Sequence, residues 1–276
     1  MPSVLVTGAS RGIGKTISGH LAALGWDVFA GVRSELDGER LRAQAPSITP
    51  VILDVTHESH IAALDEALPP NLDAVVNNAG IVVAGPMEYV TPADLRSQFD
   101  INVVGQIAVT QAVLPRLRKS HGRIVFISSL NGKISMPLTG PYCASKFAIE
   151  AAADALRMEL KPWGIAVVVV EPAQTDTDMW RTADAMADDT AARLPDDARR
   201  LYDKHLSGFK KSIPASQKQA VPAQDVAALV EEALSARRPR PRYVVGMLPK
   251  VQLAVLTRLP TALRDRVLRG VLHQPG

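Results

Sequence analysis

Only one cysteine, Cys143, occurs among the 276 residues, so no internal disulfide can form and the chain suits a reducing compartment. No stretch reaches the ~18 apolar residues that a membrane-spanning helix needs. Met1-Pro2-Ser3 leads straight into an apolar run, with neither a basic n-region nor a cleavage site, so a cytoplasmic location is expected. Neither sign of charge dominates: 31 basic residues face 28 acidic ones, for a formal net charge of +3. The pI of 9.1 is no nucleic-acid signature without a clustered basic stripe, and none precedes residue 230. Fixed-period repeats and low-complexity segments are also lacking. His57 and His60 lack a third ligand, so they read as surface residues and no metal site is expected.

What is present is an alternation of short apolar runs with helix-like segments. Val4–Thr7, Asp27–Val32, Thr49–Leu53, Ala74–Asn77, Arg123–Ser128 and Ile165–Val170 read as strands, and Arg242–Gly246 as a seventh. Helix-like stretches fall near 13–24, 36–45, 57–68, 92–120, 141–163 and 223–236. Several of the strands are continuously apolar, as when helices cover both faces of a parallel sheet. The expected fold is therefore α/β: a single-domain, Rossmann-type, doubly wound parallel sheet of about seven strands. A chain of this length buries one large core without dividing.

Tyr142-Cys143-Ala144-Ser145-Lys146 sets a phenol and an ammonium four residues apart, on one helix face. A neighbouring cation favours the phenolate, which would make Tyr142 a usable general acid or base. Ser129 closes the fifth strand, and open α/β sheets bind ligands at the C-terminal ends of their strands. By itself the pattern also fits a surface helix with a solvated lysine. Cys143 reads as a small buried filler. Gly8-Ala9-Ser10-Arg11-Gly12-Ile13-Gly14 lies between a strand and a helix, where glycines allow close backbone approach and free N–H groups favour a pyrophosphate. An ordinary glycine-rich turn is the alternative, and the spacing differs from G-x-G-x-x-G.

Taken in order, Thr7-Gly8-x-x-x-Gly12-Ile13-Gly14, Asn77-Asn78-Ala79-Gly80, Asn102, Ser129 and Tyr142-x-x-x-Lys146 resemble the short-chain dehydrogenases/reductases. The match covers about the first 175 residues, and the chain looks most like the hydroxysteroid and retinol dehydrogenase branch. The resemblance implies hydride transfer between a nicotinamide and a carbinol or carbonyl carbon. Tyr142 would transfer the proton, Ser129 would hold the substrate oxygen, and Lys146 would lower the tyrosine's pKa and bond the nicotinamide ribose. Asn102 matches the fourth catalytic member, which links Lys146 to solvent; by itself it reads as a helix-interior asparagine bonding backbone.

The second strand ends at Arg33 with no carboxylate. An acidic residue there binds the ribose of NAD, whereas an arginine accommodates the 2′-phosphate of NADP. With Arg11 beside it in the glycine turn, NADP(H) is expected; solvated surface charges are the alternative. The resemblance adds Gly8, Ser10, Gly12, Ile13, Gly14, Asp54, Asn78, Ala79, Gly80, Tyr142, Lys146, Pro172, Thr175 and Thr177 as cofactor residues. Asp54 would bond the adenine, or else cap the helix before Thr56 and His57. Ala173 stands where the family usually has glycine after Pro172, which puts the local loop geometry in question.

Residues 178–222 are expected to form a substrate lid within a catalytic domain of residues 1–246. The lid carries Met179, Trp180, Met186, Leu194, Leu201, Leu206 and Phe209, and Leu130, Met136 and Leu138 add apolar lining near the catalytic residues. A lipophilic secondary alcohol or ketone, or a retinoid-like alcohol or aldehyde, is the expected substrate. The alternatives are a small carbonyl or 3-ketoacyl reductase and a non-catalytic NADP-sensing protein. Residues 247–276 would form a helical extension, basic and apolar, interrupted at Pro249 and Pro260, which packs on its own protein or on a partner or lies on a membrane surface. A homodimer or homotetramer is implied through the helices near 92–120 and 141–163.

Overall fold

The computed structural model describes residues 1–177 and 183–275. Seven parallel strands form the sheet: β1 (Ser3–Val6), β2 (Asp27–Val32), β3 (Ile48–Ile52), β4 (Ala74–Asn77), β5 (Arg123–Ile127), β6 (Ala166–Glu171) and, last in the chain, Arg242–Val244. Their spatial order is β3-β2-β1-β4-β5-β6 and then Arg242–Val244. Direction of winding reverses between β1 and β4, and doubly wound sheets bind ligands at such a switch point.

The helices are α1 (Gly12–Ala23), α2 (Glu35–Arg42), α3 (Glu58–Ala62), α4 (Leu64–Ala67), α5 (Pro92–Phe99), α6 (Gln106–Ser120) and α7 (Gly140–Glu159), followed by α8 (Ala183–Arg193), α9 (Asp196–Lys218), α10 (Ala223–Ser235), α11 (Met247–Leu256) and α12 (Thr261–Val271). Alternation along β1 sorts the core into two layers. Val4 and Val6 pack with Ile17 and Leu21 of α1 and Val226 and Val230 of α10. Leu5 points to the other face, with Val109, Val113 and Leu117 of α6 and Ile149 of α7. Local signals set the ends: Ser34 and Thr91 accept hydrogen bonds from Asp37 N and Asp94 N, capping α2 and α5.

Three expectations need correction. The stretch 92–120 is not one uniform helix, because a wide π-type turn spans Asp100–Gly105 between α5 and α6. Asn102 sits inside that turn and spends its amide on backbone outside the helix. The stretch 57–68 divides at Ala63 into α3 and α4. Pro249 does not interrupt the C-terminal extension; it lies in the first turn of α11, where an N–H has no intrahelical acceptor to lose. Pro260 does separate α11 from α12.

Short strands Thr175–Asp176 (β7) and Val221–Pro222 (β8) pair in parallel, which draws the two ends of the expected lid together. The strand Arg242–Val244 is therefore β9. Met179 and Trp180 lie outside the described residues. Leu194, in the link after α8, and Ala198 and Leu206 of α9 cluster with Leu138, flanked by Tyr89, Tyr202 and Phe209. Leu201 does not join them and is 67% exposed, because it falls on the outer face of α9.

Candidate active site

The turn between β1 and α1 forms one wall of the site. Gly8 and Gly12 adopt φ of +64° and +55°, a region that glycine enters without steric cost. A Cβ on Gly14 would lie 2.3 Å from Gly8 O and 2.4 Å from Asn78 Nδ2, so only glycine fits. Asn78 Nδ2 donates to Thr7 O at 2.9 Å and to Gly8 O at 3.1 Å. Thr7 Oγ1 accepts from Asn78 N and Ala79 N, both at 3.0 Å. Asn78 and Ala79 thus lock the end of β4 to the glycine turn across the switch point. No side chain caps the N-terminus of α1, which leaves N–H groups there for an anion. These features fit a dinucleotide pyrophosphate.

Beside this turn lies a cleft of about 380 Å³ whose lining includes Ser10, Arg11, Lys15, Arg33, Arg40 and Asp37. Arg11 and Arg33 come together, as their positions led one to expect, and the fold adds Lys15 and Arg40. Lys15 was missed, although it stands one helical turn after Arg11. Asp37 is occupied with the Ser34 hydroxyl at 2.9 Å and with Arg40 at 3.7 Å, so the cleft is predominantly cationic. Such a cleft suits a phosphate monoester, the group that distinguishes NADP from NAD.

Asp54 does not cap a helix. Its Oδ1 accepts from Thr56 N at 3.0 Å and Thr56 Oγ1 at 2.7 Å, while His57, without a side-chain bond, precedes α3. Burial opposes ionisation of Asp54, but the Thr56 bonds and the charges of His57 and Arg33 prevail and hold its carboxyl below the usual range. His60 Nδ1 accepts from Asp54 N at 3.1 Å. Among the described residues no cluster with metal-binding composition occurs.

The second wall is built by the C-terminal ends of β5 and β6 and by α7. Leu130 N donates to Pro172 O at 3.0 Å and Ser128 N to Val170 O at 2.8 Å, which joins the Ser129 and Pro172 loops. Ala173 shows no positive φ, so its methyl group introduces no backbone strain. Thr175 Oγ1 donates to Ala173 O at 3.1 Å, and Thr177 lies where a Gly12 side chain would point, 3.6 Å away. The glycine turn and the Pro172 loop therefore face each other. Cys143 is 1% exposed and accepts from Asn131 Nδ2 at 3.3 Å.

Ser129, Tyr142 and Lys146 converge. The Ser129 hydroxyl is near enough to the Tyr142 phenol to favour its ionised form, and Lys146 Nζ lies 5.7 Å from the centre of the Tyr142 ring. Lys146 Nζ also donates to Ile127 O, the end of β5, at 2.8 Å. Burial pushes the Tyr142 phenol up to about 12, against the Ser129 bond, which lowers it. Desolvation of the phenolate outweighs what favours it, and the Lys146 ammonium is engaged at Ile127. Burial likewise lowers Lys146 to about 8, with Glu150 opposing.

Asn102 does not touch Lys146. Its Oδ1 accepts from Ile81 N at 2.8 Å, and its Nδ2 donates to Ile81 O at 3.0 Å and Ser145 Oγ at 3.2 Å. Gln98 repeats this pattern at Val83 N and Ile81 O, at 2.7 and 2.9 Å. Both amides hold the loop after Gly80 against α7. Gln98 was not anticipated; four residues before Asn102 on the same helical run, it carried only that spacing as a signal.

One turn beyond Lys146, Glu150 is buried with Glu171, the last residue of β6. Lys133 reaches Glu150 at 2.8 Å and Glu171 at 3.9 Å, and Arg242 reaches them at 3.0 and 3.4 Å. Burial, then the charge of Glu150, raises Glu171 well above the usual carboxylate range, with Lys133 and Arg242 opposing. Leu138, just before α7, is a buried leucine with φ of +64°. Such backbone strain, of order 1–2 kcal/mol, persists only where surroundings enforce it, here the apolar cluster beneath α9.

Comparison with known proteins agrees with this geometry. The profile of the short chain dehydrogenase family matches residues 2–188. NADPH-dependent 3-dehydrocapnine reductase of Ornithobacterium rhinotracheale is 31% identical over 284 residues, covering 97% of this chain and 96% of the relative. Retinol dehydrogenase 16 of Homo sapiens is 33% identical over 286 residues, covering 99% and 89%. The crystal structure of a short-chain dehydrogenase from Streptomyces avermitilis superposes with a TM-score of 0.77 at 26% identity, covering 98% of this chain and 97% of that one.

Proposed function

Because the chain belongs to the short-chain dehydrogenase/reductase family of oxidoreductases, we propose that it is an NADPH-dependent reductase of lipophilic ketones or retinoid-like aldehydes. The observation that carries the reaction is the convergence of the half-buried Tyr142 with Ser129 and with Lys146, which is anchored at the end of β5, a phenol placed to give its proton to a carbonyl oxygen. Ser129 holds and orients that oxygen. Lys146 spends one of its three protons on Ile127 O, which leaves two donors for the cofactor ribose. Asn102 positions rather than reacts, by fixing the loop at Ile81 and the helix at Ser145.

Gly8, Ser10, Gly12, Ile13 and Gly14 would cradle the pyrophosphate, and Arg11, Lys15 and Arg33 the 2′-phosphate. Asp54 would meet the adenine, while Ala79, Gly80, Pro172, Thr175 and Thr177 would lie along the nicotinamide half. When bound, NADPH supplies the hydride. Preference for NADPH is supported by the cationic cleft and by the NADPH dependence in the name of the 3-dehydrocapnine reductase. A lipophilic substrate is supported by the cluster of Leu138, Leu194, Leu206, Tyr89 and Phe209 and by similarity to retinol dehydrogenase 16. Within this proposal, residues 178–222 act as the lid of a catalytic domain spanning 1–246, and the chain self-associates through the helical stretches near 92–120 and 141–163.

A substrate panel followed by NADPH absorbance tests the proposal, with NADH run in parallel. Polycyclic ketones and a retinoid aldehyde should give higher kcat/KM than small ketones or a 3-ketoacyl thioester. Preference for the small or acyl substrates would defeat the substrate assignment, and no turnover on any carbonyl would defeat the catalytic one.

A further inference from the structure

The two C-terminal helices bury one side and expose an apolar stripe on the other. Leu253 of α11, Leu268 of α12 and Leu272 are each 8% exposed. The tail also locks onto α9: a Cβ on Gly208 would lie 2.2 Å from His273 O, and Gln274 Nε2 donates to His205 O at 3.2 Å. The helices are thus docked, and what they leave outside is a fixed surface.

On α11 that surface carries Met247, Leu248, Val251 and Val255, exposed by 75, 57, 55 and 54%. On α12 it carries Leu263, Val267 and Val271, exposed by 46, 39 and 66%. The α12 residues recur every fourth position and so form one narrow stripe. Arg264 and Arg266 flank this stripe on either side, and Lys250 stands at the edge of the α11 stripe. From Met247 onward the cations Lys250, Arg258, Arg264, Arg266 and Arg269 face a single acid, Asp265.

We propose that α11 and α12 form a docking surface for anionic lipid bilayers, with the exposed aliphatic side chains entering the interface and the flanking cations meeting lipid headgroups. Apolar residues bordered by Lys and Arg are what an interfacial helix requires. A second copy of this chain fits less well, because a two-fold contact sets this surface against itself and brings its excess of cations face to face. Bilayer docking uses no residue of the reaction site and is independent of which carbonyl is reduced.

Flotation of the full chain with phosphatidylcholine vesicles, with and without phosphatidylglycerol and at low and high salt, tests this surface. The protein should float with the anionic vesicles at low salt and be released as salt screens the headgroups. Arg264→Gln with Arg266→Gln should lower partitioning roughly thirtyfold, at ~1 kcal/mol for each basic residue near an anionic surface. Val251→Asp with Val267→Asp should remove binding, and both double variants should retain the parent's thermal midpoint and turnover of a water-soluble carbonyl. No flotation of the parent, or flotation that both double variants retain, would overturn the proposal. So would a fall in solution mass in Val251→Asp with Val267→Asp without vesicle binding by the parent, which would assign the surface to a second copy.

Discussion

At the scale of single residues, the chemistry depends on which side chains the fold takes out of water. Tyr142 is held as a phenol and Lys146 is brought close to neutrality, both by burial. Tyr142→Phe should cost about 10²- to 10⁴-fold in kcat, the range for a lost general acid, while the NADPH dissociation constant stays near the parent's; near-normal turnover would remove Tyr142 from the mechanism. The ammonium form of Lys146 persists below about pH 8 and is lost above it. Carbonyl reduction should therefore hold a plateau in kcat/KM below that value and decline as pH rises through it, and a flat profile would contradict a role for the charge.

Glu171 carries a separate consequence for stability. Its pKa lies above the ordinary glutamate value of 4.5, so the folded chain retains a proton that the unfolded chain has released. Fewer protons bound in the unfolded state mean that stability falls as pH rises from about 4.5 towards neutrality. Glu171→Gln removes this dependence and should be more stable than the parent above neutral pH. Urea midpoints measured on both sides of neutrality decide the matter; parallel curves for parent and variant would refute it.

At the scale of elements, the clearest contacts are those where backbone meets backbone. Gly208 of α9 touches His273 so closely that a methyl group would strike its carbonyl. Gly208→Ala should displace the tail and speed proteolysis after Leu256, with the sheet's own unfolding transition retained; unchanged cleavage would show that the tail is not held there. The positions of the first six strands of the sheet were legible in the sequence to within a residue, since Asp27–Val32 and Ala74–Asn77 are largely apolar runs, whereas the seventh, read as Arg242–Gly246, ends at Val244. The π-type turn at Asp100–Gly105 was not; within it Asn102 exchanges a pair of hydrogen bonds with Ile81, 21 positions away, which no local pattern encodes.

At the scale of the whole molecule, the cationic cleft is assembled from two crossover units, with Arg11 and Lys15 from the first and Arg33 and Arg40 from the second. Arg11→Ala with Arg33→Ala should reduce the preference for NADPH over NADH by about 10- to 100-fold, roughly the value of two charge-assisted hydrogen bonds, with little change in kcat for NADH. An unaltered ratio would place the 2′-phosphate elsewhere.

By itself the sequence determined the strand order along the chain, the glycine turn, the Ser129-Tyr142-Lys146 constellation and the absence of a carboxylate after β2. These are local: a strand is a run of apolar residues, a helical face is a spacing of four, and a glycine turn needs no distant partner. Only the tertiary structure decided that the tyrosine stays protonated, that Lys15 and Arg40 join the cleft, that Asn102 braces a loop, and that the tail lies on α9. Each depends on desolvation or on contacts between residues far apart in the chain, and no pattern within a short window encodes either.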